Sequence, residues 1–172
     1  MLITIISISI ILLYLLITYF IAGKDIPTSI SSTYFILKNK ILFSIVVSVS
    51  SLILLFPFSE VTPDKYMVFP VLGTLGMLMV GIFPDTTNKR DNTLHMIGGI
   101  GGCTFYNIWT SLVGTWYISL SWASIVLLAV WLSKTDRIRE RDKVLYHIKE
   151  HVIFWVEIIT LLGVYGTLLT VA

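Results

Sequence analysis

A stretch of 40 residues, from Leu94 to Ser133, contains no Asp, Glu, Lys or Arg. One membrane-spanning helix needs about 20 apolar residues, so this stretch predicts two spans with a break near Gly114. Hydrophobic residues make up 56% of the chain and charged residues only 13%. Such a composition leaves no room for a soluble domain, which excludes a cytosolic enzyme, a nucleotide-binding domain and a receptor ectodomain.

Further apolar runs extend this pattern to a polytopic transmembrane helix bundle of the all-α class. We predict a single integral membrane domain over residues 1–172 with spans at 2–22, 41–58, 66–83, 94–113, 115–133 and 152–172. Pro57 is expected to close the second span. The first run has no preceding Lys or Arg, which favours a retained helix over a cleaved signal.

The basic residues test the number of spans independently. Of the 12 Lys and Arg residues, 11 fall in the loops 23–40, 84–93 and 134–151, and only Lys65 lies elsewhere. Six spans place these loops on one side of the membrane, which the positive-inside rule makes cytoplasmic. We therefore expect a cell membrane protein, in a bacterial inner membrane, with both termini outside.

Four cations of the last loop form the candidate lipid or partner face: Arg137, Arg139, Arg141 and Lys143. They alternate with acids at helical spacing, which predicts a cytoplasmic helical extension. Such a face attracts anionic lipid headgroups, and a membrane protein partner is the alternative. The net charge of +2 is too small to indicate binding of nucleic acid.

The glycines of the middle of the chain point to close helix packing. Gly98 and Gly102 form a GxxxG pair, and Gly73 and Gly76 lie on the preceding span. Small residues at this spacing let a neighbouring helix backbone approach closely. The sequence leaves open whether the neighbour is in the same chain or in a homo-oligomer.

Several ionisable groups fall near the cytoplasmic end of the predicted bundle. His147 and His151 are four residues apart, a spacing that lets two imidazoles share one metal ion, with His95 or Asp85 as a third ligand. Zinc held in this way would supply a hydroxide nucleophile, with Asp85 as base. The alternative is interfacial histidines hydrogen-bonded among loop residues, with no cofactor.

Glu157 is the strongly polar residue within a predicted span, and it is a catalytic or transport candidate. The sequence predicts that its carboxyl is protonated or bonded to hydroxyls such as Ser48, Ser50, Thr74 or Ser119.

In the first cytoplasmic loop, Ile30, Tyr34 and Leu37 share one face of a predicted interfacial helix. The hydroxyl residues between Thr28 and Thr33 offer an alternative, the lining of a polar cavity. Cys103 is expected to be a small buried side chain.

The run from Gly81 to Asp85, followed by His95 at the start of a Gly-rich helix, resembles a signature of small six-helix bacterial membrane proteins of unknown function. It is also loosely similar to the DRAM and FGF-receptor-activating-protein type. The resemblance implies a six-helix bundle with Asp85 and His95 close together at the cytoplasmic face. The order of Ser, Asp and His residues is also similar to that of the membrane hydrolases related to alkaline ceramidases and progestin/adiponectin-type receptors. That likeness implies Asp85, His147 and His151 as zinc ligands or base.

Together these features favour a non-enzymatic membrane protein that acts on lipids or a protein partner through helix packing and its basic cytoplasmic face. Two alternatives remain open. The first is a metal-dependent membrane lipid hydrolase built on the histidines, and the second is a small-solute channel or transporter built on Glu157.

Overall fold

The computed structural model describes residues 1–23, 27–37, 40–84, 87–114, 116–134 and 143–171. Within these ranges the regular structure is helical and includes no β-strand. The α-helices are α1 (Leu2–Ile21), α2 (Thr33–Ile36), α3 (Lys40–Ile53), α4 (Leu55–Val61), α5 (Val68–Ile82), α6 (Lys89–Val113), α7 (Trp116–Lys134) and α8 (Lys143–Val171), with a 3₁₀ turn at Asp64–Tyr66.

Within the described ranges, four helical segments are long and apolar enough to cross a membrane. They are Leu2–Ile21, Ile41–Val61, Asp64–Ile82 and His151–Val171. Helices α6 and α7 cover the charge-free stretch, and they separate at Gly114, as the sequence predicts. The φ angle of Gly114 is 144°, a conformation that favours glycine and that ends α6.

Two helix boundaries differ from the sequence prediction. Helix α4 continues past Pro57 to Val61, because Pro57 lies in the first turn after the interruption at Leu54, where a missing N–H costs little. Helix α6 begins at Lys89, five residues before the predicted span. The side chain of Asn88 accepts a hydrogen bond from the N–H of Arg90 (3.0 Å) and caps it.

Helix α1 buries hydroxyl side chains and exposes most of its apolar ones. Its buried residues are Thr4, Ser7, Tyr14 and Thr18, all of which carry a hydroxyl. Leu12, Leu13 and Leu16 are each more than half exposed. A helix in water would present the opposite pattern, so this helix is built for an apolar surrounding.

Helices α1 and α8 pack antiparallel, and hydrogen bonds fix which ends meet. At one end Ser7, near the start of α1, bonds the Tyr165 hydroxyl near the end of α8 (2.7 Å). At the other end, Pro27 follows α1 and contacts His151 of α8 (3.0 Å). Each end has its own apolar core. One contains Tyr14, Tyr34, Leu37, Phe43, Val46, Val47 and Val80, and the other contains Leu54, Phe58, Tyr106, Trp109, Val164, Tyr165 and Leu168.

Helices α5 and α6 make the closest contact in the bundle. A Cβ built on Gly76 would lie 2.6 Å from the Gly98 carbonyl oxygen and 2.6 Å from the Gly102 nitrogen. The neighbour of the GxxxG pair is therefore α5 of the same chain, through the face that contains Gly73 and Gly76.

Candidate functional site

Residues Pro27–Thr33 form a compact polar turn, which we call the docked turn. The Ser32 N–H donates to Ser29 Oγ (2.9 Å), and the Ser32 hydroxyl donates to the Ser29 carbonyl (2.7 Å). Ser29 and Ser31 bond each other through their hydroxyls (3.0 Å). The serines therefore fold the turn on itself, because short hydroxyl side chains satisfy nearby backbone groups.

The docked turn is bound to α8 by three hydrogen bonds. His151 Nδ1 bonds the Pro27 carbonyl (3.0 Å), and the Phe154 N–H donates to the Thr28 carbonyl (3.2 Å). The Ile30 N–H donates to the carboxyl group of Glu157. Three residues of α8, spaced three apart, thus hold three backbone groups of the docked turn.

A kink in α8 makes this attachment possible. His151 has φ −109° and ψ 15°, which lie outside helical geometry. In a regular helix the Phe154 N–H would donate to the carbonyl four residues earlier, whereas here it reaches Thr28. The kink therefore frees a donor on α8 for the turn.

Helix α1 holds the other side of the docked turn. The Tyr14 hydroxyl, on a side chain that is 3% exposed, bonds Thr33 Oγ1. Tyr34 and Leu37, just after the turn, are buried in the same apolar core. The predicted interfacial helix is thus a single turn packed into the bundle. The apolar face of this helical turn contacts protein, because the docked turn directs it toward the interior of the bundle.

Glu157 has a different partner from those predicted. The sequence suggested hydroxyls of other spans, but the carboxyl group accepts the backbone N–H of Ile30. One turn further along α8, Thr160 Oγ1 accepts a hydrogen bond from Asn107 Nδ2 (3.1 Å). The Oδ1 atom of Asn107 is buried without a hydrogen-bond partner. A row of polar groups thus extends from Glu157 toward α6.

The histidine hypothesis is only partly covered by the described residues. His95 is 5% exposed, and its Nδ1 bonds the Phe83 carbonyl (2.9 Å), which ties the start of α6 to the end of α5. Asp85 and the side chain of His147 lie outside the described part of the chain, and His151 has the non-helical backbone angles of the kink. Among the described residues, no three His, Cys, Asp or Glu side chains are grouped to hold a metal ion.

The basic face is also only partly described. Arg137, Arg139 and Arg141 fall in the range 135–142, outside the described residues, and Lys143 is the first residue of α8. The start of α8 nevertheless lies at the same end of the bundle as the docked turn, which His151 contacts.

A cavity of about 170 Å³ lies beside the docked turn. It is bounded by α1, by the turn and by α8, and its wall is almost entirely apolar. The lining residues are Leu15, Thr18, Tyr19, Pro27, Thr33 and Phe154.

Sequence reasoning missed two features that build this site. The hydroxyl stripe of α1 was detectable, since Thr4, Ser7, Tyr14 and Thr18 follow helical spacing within an otherwise apolar run. The kink at His151 had no comparable signal, because neither proline nor glycine is present there.

Comparisons with family models, with curated proteins and with solved structures found no match.

Proposed function

We propose that the chain is a non-enzymatic integral membrane protein of the cell membrane, with six spans and both termini outside. It acts through helix packing and through a basic cytoplasmic end that engages anionic lipids. The observation that carries this proposal is α1, whose buried residues all carry hydroxyls while Leu12, Leu13 and Leu16 face outward. That arrangement suits a helix surrounded by lipid.

The lengths of α6 and α7 support the fourth and fifth spans. At 1.5 Å per residue, α6 is about 38 Å long and α7 about 28 Å long, against a hydrocarbon core of about 30 Å. Ser119 of α7 donates to the Asn107 carbonyl of α6 (3.0 Å), so the two helices form a hairpin around Gly114. Trp116 and Tyr117, both exposed, begin α7 at the depth where aromatic residues anchor spans.

The position of Glu157 favours a structural role over transport or hydrolysis. Its carboxyl group is bonded to the backbone of the docked turn. Non-helical backbone at membrane depth must be satisfied by protein groups, and Glu157 supplies one of these groups. We propose that Glu157 holds the first cytoplasmic loop against the last span.

Cysteine accessibility tests the number of spans. In a Cys103→Ser background, single cysteines are introduced as Lys65→Cys, Thr87→Cys, Thr115→Cys and Asp142→Cys, and intact cells are treated with a membrane-impermeant maleimide. We expect labelling of the first and third variants, and labelling of the other two only after permeabilisation. Protection of Thr115→Cys in intact cells would reduce the count to four spans.

Lipid selectivity tests the basic face. Native mass spectrometry compares binding of phosphatidylglycerol and phosphatidylcholine to wild type and to a variant with Arg137, Arg139, Arg141 and Lys143 changed to Gln. Each cation near a membrane surface contributes about 1 kcal/mol, so each loss should weaken the preference for the anionic lipid about fivefold. Lys65→Gln, at the opposite end, is the matched control. An unchanged preference in the quadruple variant would shift the proposal to a protein partner or a second copy of the chain.

A further inference from the structure

The cavity beside the docked turn has a wall without available polar groups. Thr18 Oγ1 donates to the Tyr14 carbonyl (2.9 Å), and Thr33 Oγ1 donates to the Ile30 carbonyl. Both threonine hydroxyls are therefore used within the protein. The other lining residues present apolar or aromatic surface, so a ligand of this cavity is apolar.

The depth of the cavity matches the upper part of a lipid chain. Leu15 lies six residues before Ile21, the end of α1, which places it about 9 Å deeper along the helix. Tyr19, also in the wall, is 38% exposed on the outer surface of α1. The cavity thus extends from the level where α1 ends into the hydrocarbon layer, beside the surface of α1 that faces lipid.

The size of the cavity indicates how much of a ligand it holds. A volume of about 170 Å³ is smaller than the roughly 300–1,000 Å³ of sites that enclose a drug-sized molecule. It therefore accommodates a segment of one acyl chain, and the remainder of the lipid stays in the bilayer.

The loop beyond the cavity carries a positive charge. Residues 23–40 contain Lys24, Lys38 and Lys40 against a single acid, Asp25, which gives a net charge of +2. A lipid whose upper acyl chain lies in the cavity has its headgroup near the level where α1 ends, at Ile21. Juxtamembrane cations favour an anionic headgroup.

We propose that the cavity is a binding site for one anionic phospholipid, whose upper acyl chain packs against Leu15, Tyr19 and Phe154. The net charge of +2 over residues 23–40 favours the anionic headgroup. The site rests on the proposed function, because it requires that this end of the bundle faces an anionic leaflet. The bound lipid packs against α1, the docked turn and α8 together, and so it stabilises the attachment of the turn.

The test uses phosphatidylglycerol with a diazirine in the upper part of one acyl chain, reconstituted with the full-length protein in phosphatidylcholine vesicles. After irradiation, mass spectrometry maps the labelled residues. We expect labelling concentrated on Leu15–Tyr19, Pro27–Thr33 and Phe154. Leu15→Trp fills the cavity and displaces about two methylene groups, which should reduce this labelling about tenfold.

Leu13→Trp is the matched control, since Leu13 is 58% exposed and lies about 200° around α1 from Leu15. Phe154→Ala, which enlarges the cavity, should retain the labelling of the other wall residues. This second variant tests the site even if Leu15→Trp does not fold. Equal labelling of the two tryptophan variants, or labelling spread evenly over the exposed face of α1, would overturn the site. Equal labelling by a diazirine phosphatidylcholine would overturn the anionic headgroup.

Failure of the site is distinguishable from failure of the proposed function. If only the site is wrong, Leu15→Trp leaves labelling unchanged while the quadruple Gln variant still loses its preference for phosphatidylglycerol. If only the basic face is wrong, the quadruple variant keeps that preference while Leu15→Trp still reduces labelling at the cavity about tenfold.

Discussion

The contact between α5 and α6 allows a quantitative prediction for Gly76→Ala. The added methyl would lie 2.6 Å from two backbone atoms of α6. Ordinary contact between such atoms begins at about 3.4 Å, so the helices would have to separate by about 0.8 Å. Backbone atoms cannot rotate away as a side chain can, and overpacking of this kind costs about 1–3 kcal/mol. We expect a loss near the upper end of that range, partly offset by about 1 kcal/mol from the better helix propensity of Ala. The net destabilisation is then about 2 kcal/mol.

Gly101→Ala is the matched control for this experiment. Gly101 lies on α6 near the same contact, but a Cβ there meets nothing within 4 Å. Its substitution should be neutral or stabilising by up to about 1 kcal/mol. The free energy of unfolding is measured in mixed micelles by titration with SDS, followed by tryptophan fluorescence. Equal stability of the two variants would refute the claim that this contact sets the packing of the bundle.

Three further predictions concern the docked turn and the metal hypothesis. Glu157→Leu removes the acceptor of the Ile30 N–H and should lower the free energy of unfolding in SDS by about 1–3 kcal/mol. Glu157→Gln keeps an amide carbonyl as acceptor and should lower it by less. Equal losses in the two variants would contradict the hydrogen bond. Tyr14→Phe should destabilise by about 1 kcal/mol through loss of its bond to the turn, while Tyr19→Phe, on an exposed side chain, should have no effect; thermal unfolding of the two variants compares them. Elemental mass spectrometry of the purified protein tests the metal hypothesis, and we expect no stoichiometric zinc because the Nδ1 atoms of His95 and His151 bond the carbonyls of Phe83 and Pro27. One zinc per chain, lost in His147→Ala, would support the lipid hydrolase instead.

The helical class and the break at Gly114 were predictable because lipid imposes simple rules on a chain. A span must be long, apolar and free of charge, and these properties are local in sequence. The close packing at Gly98 and Gly102 was predictable for a similar reason, since a small residue at this spacing has few other uses in a bilayer. The partner helix was not predictable, because the sequence alone does not say which glycine-bearing helix lies beside Gly98 and Gly102.

The docked turn was less predictable because its bonds use backbone groups. The carbonyls of Pro27 and Thr28 carry no sequence signal for the residues that bind them. The hydroxyls of Ser29 and Ser32 suggested a polar lining, whereas they serve mainly to fold the turn itself. The sequence marked Glu157 as unusual, but its partner depends on a kink more than 100 residues away from Ile30 in the chain.

The bonds that join the first and last helices have a consequence for synthesis of the protein. The Ile30 N–H and Glu157 are 127 residues apart, and Ser7 and Tyr165 are 158 residues apart. At a translation rate of about 5–20 residues per second, α8 leaves the ribosome about 6 to 25 s after the turn. During this interval the Ser7 hydroxyl of α1 and the backbone of the turn lack their partners on α8. Newly made chains that lack α8 therefore expose polar groups that the finished bundle hides, and a membrane protease or an insertion chaperone has a chemical basis for telling the two apart.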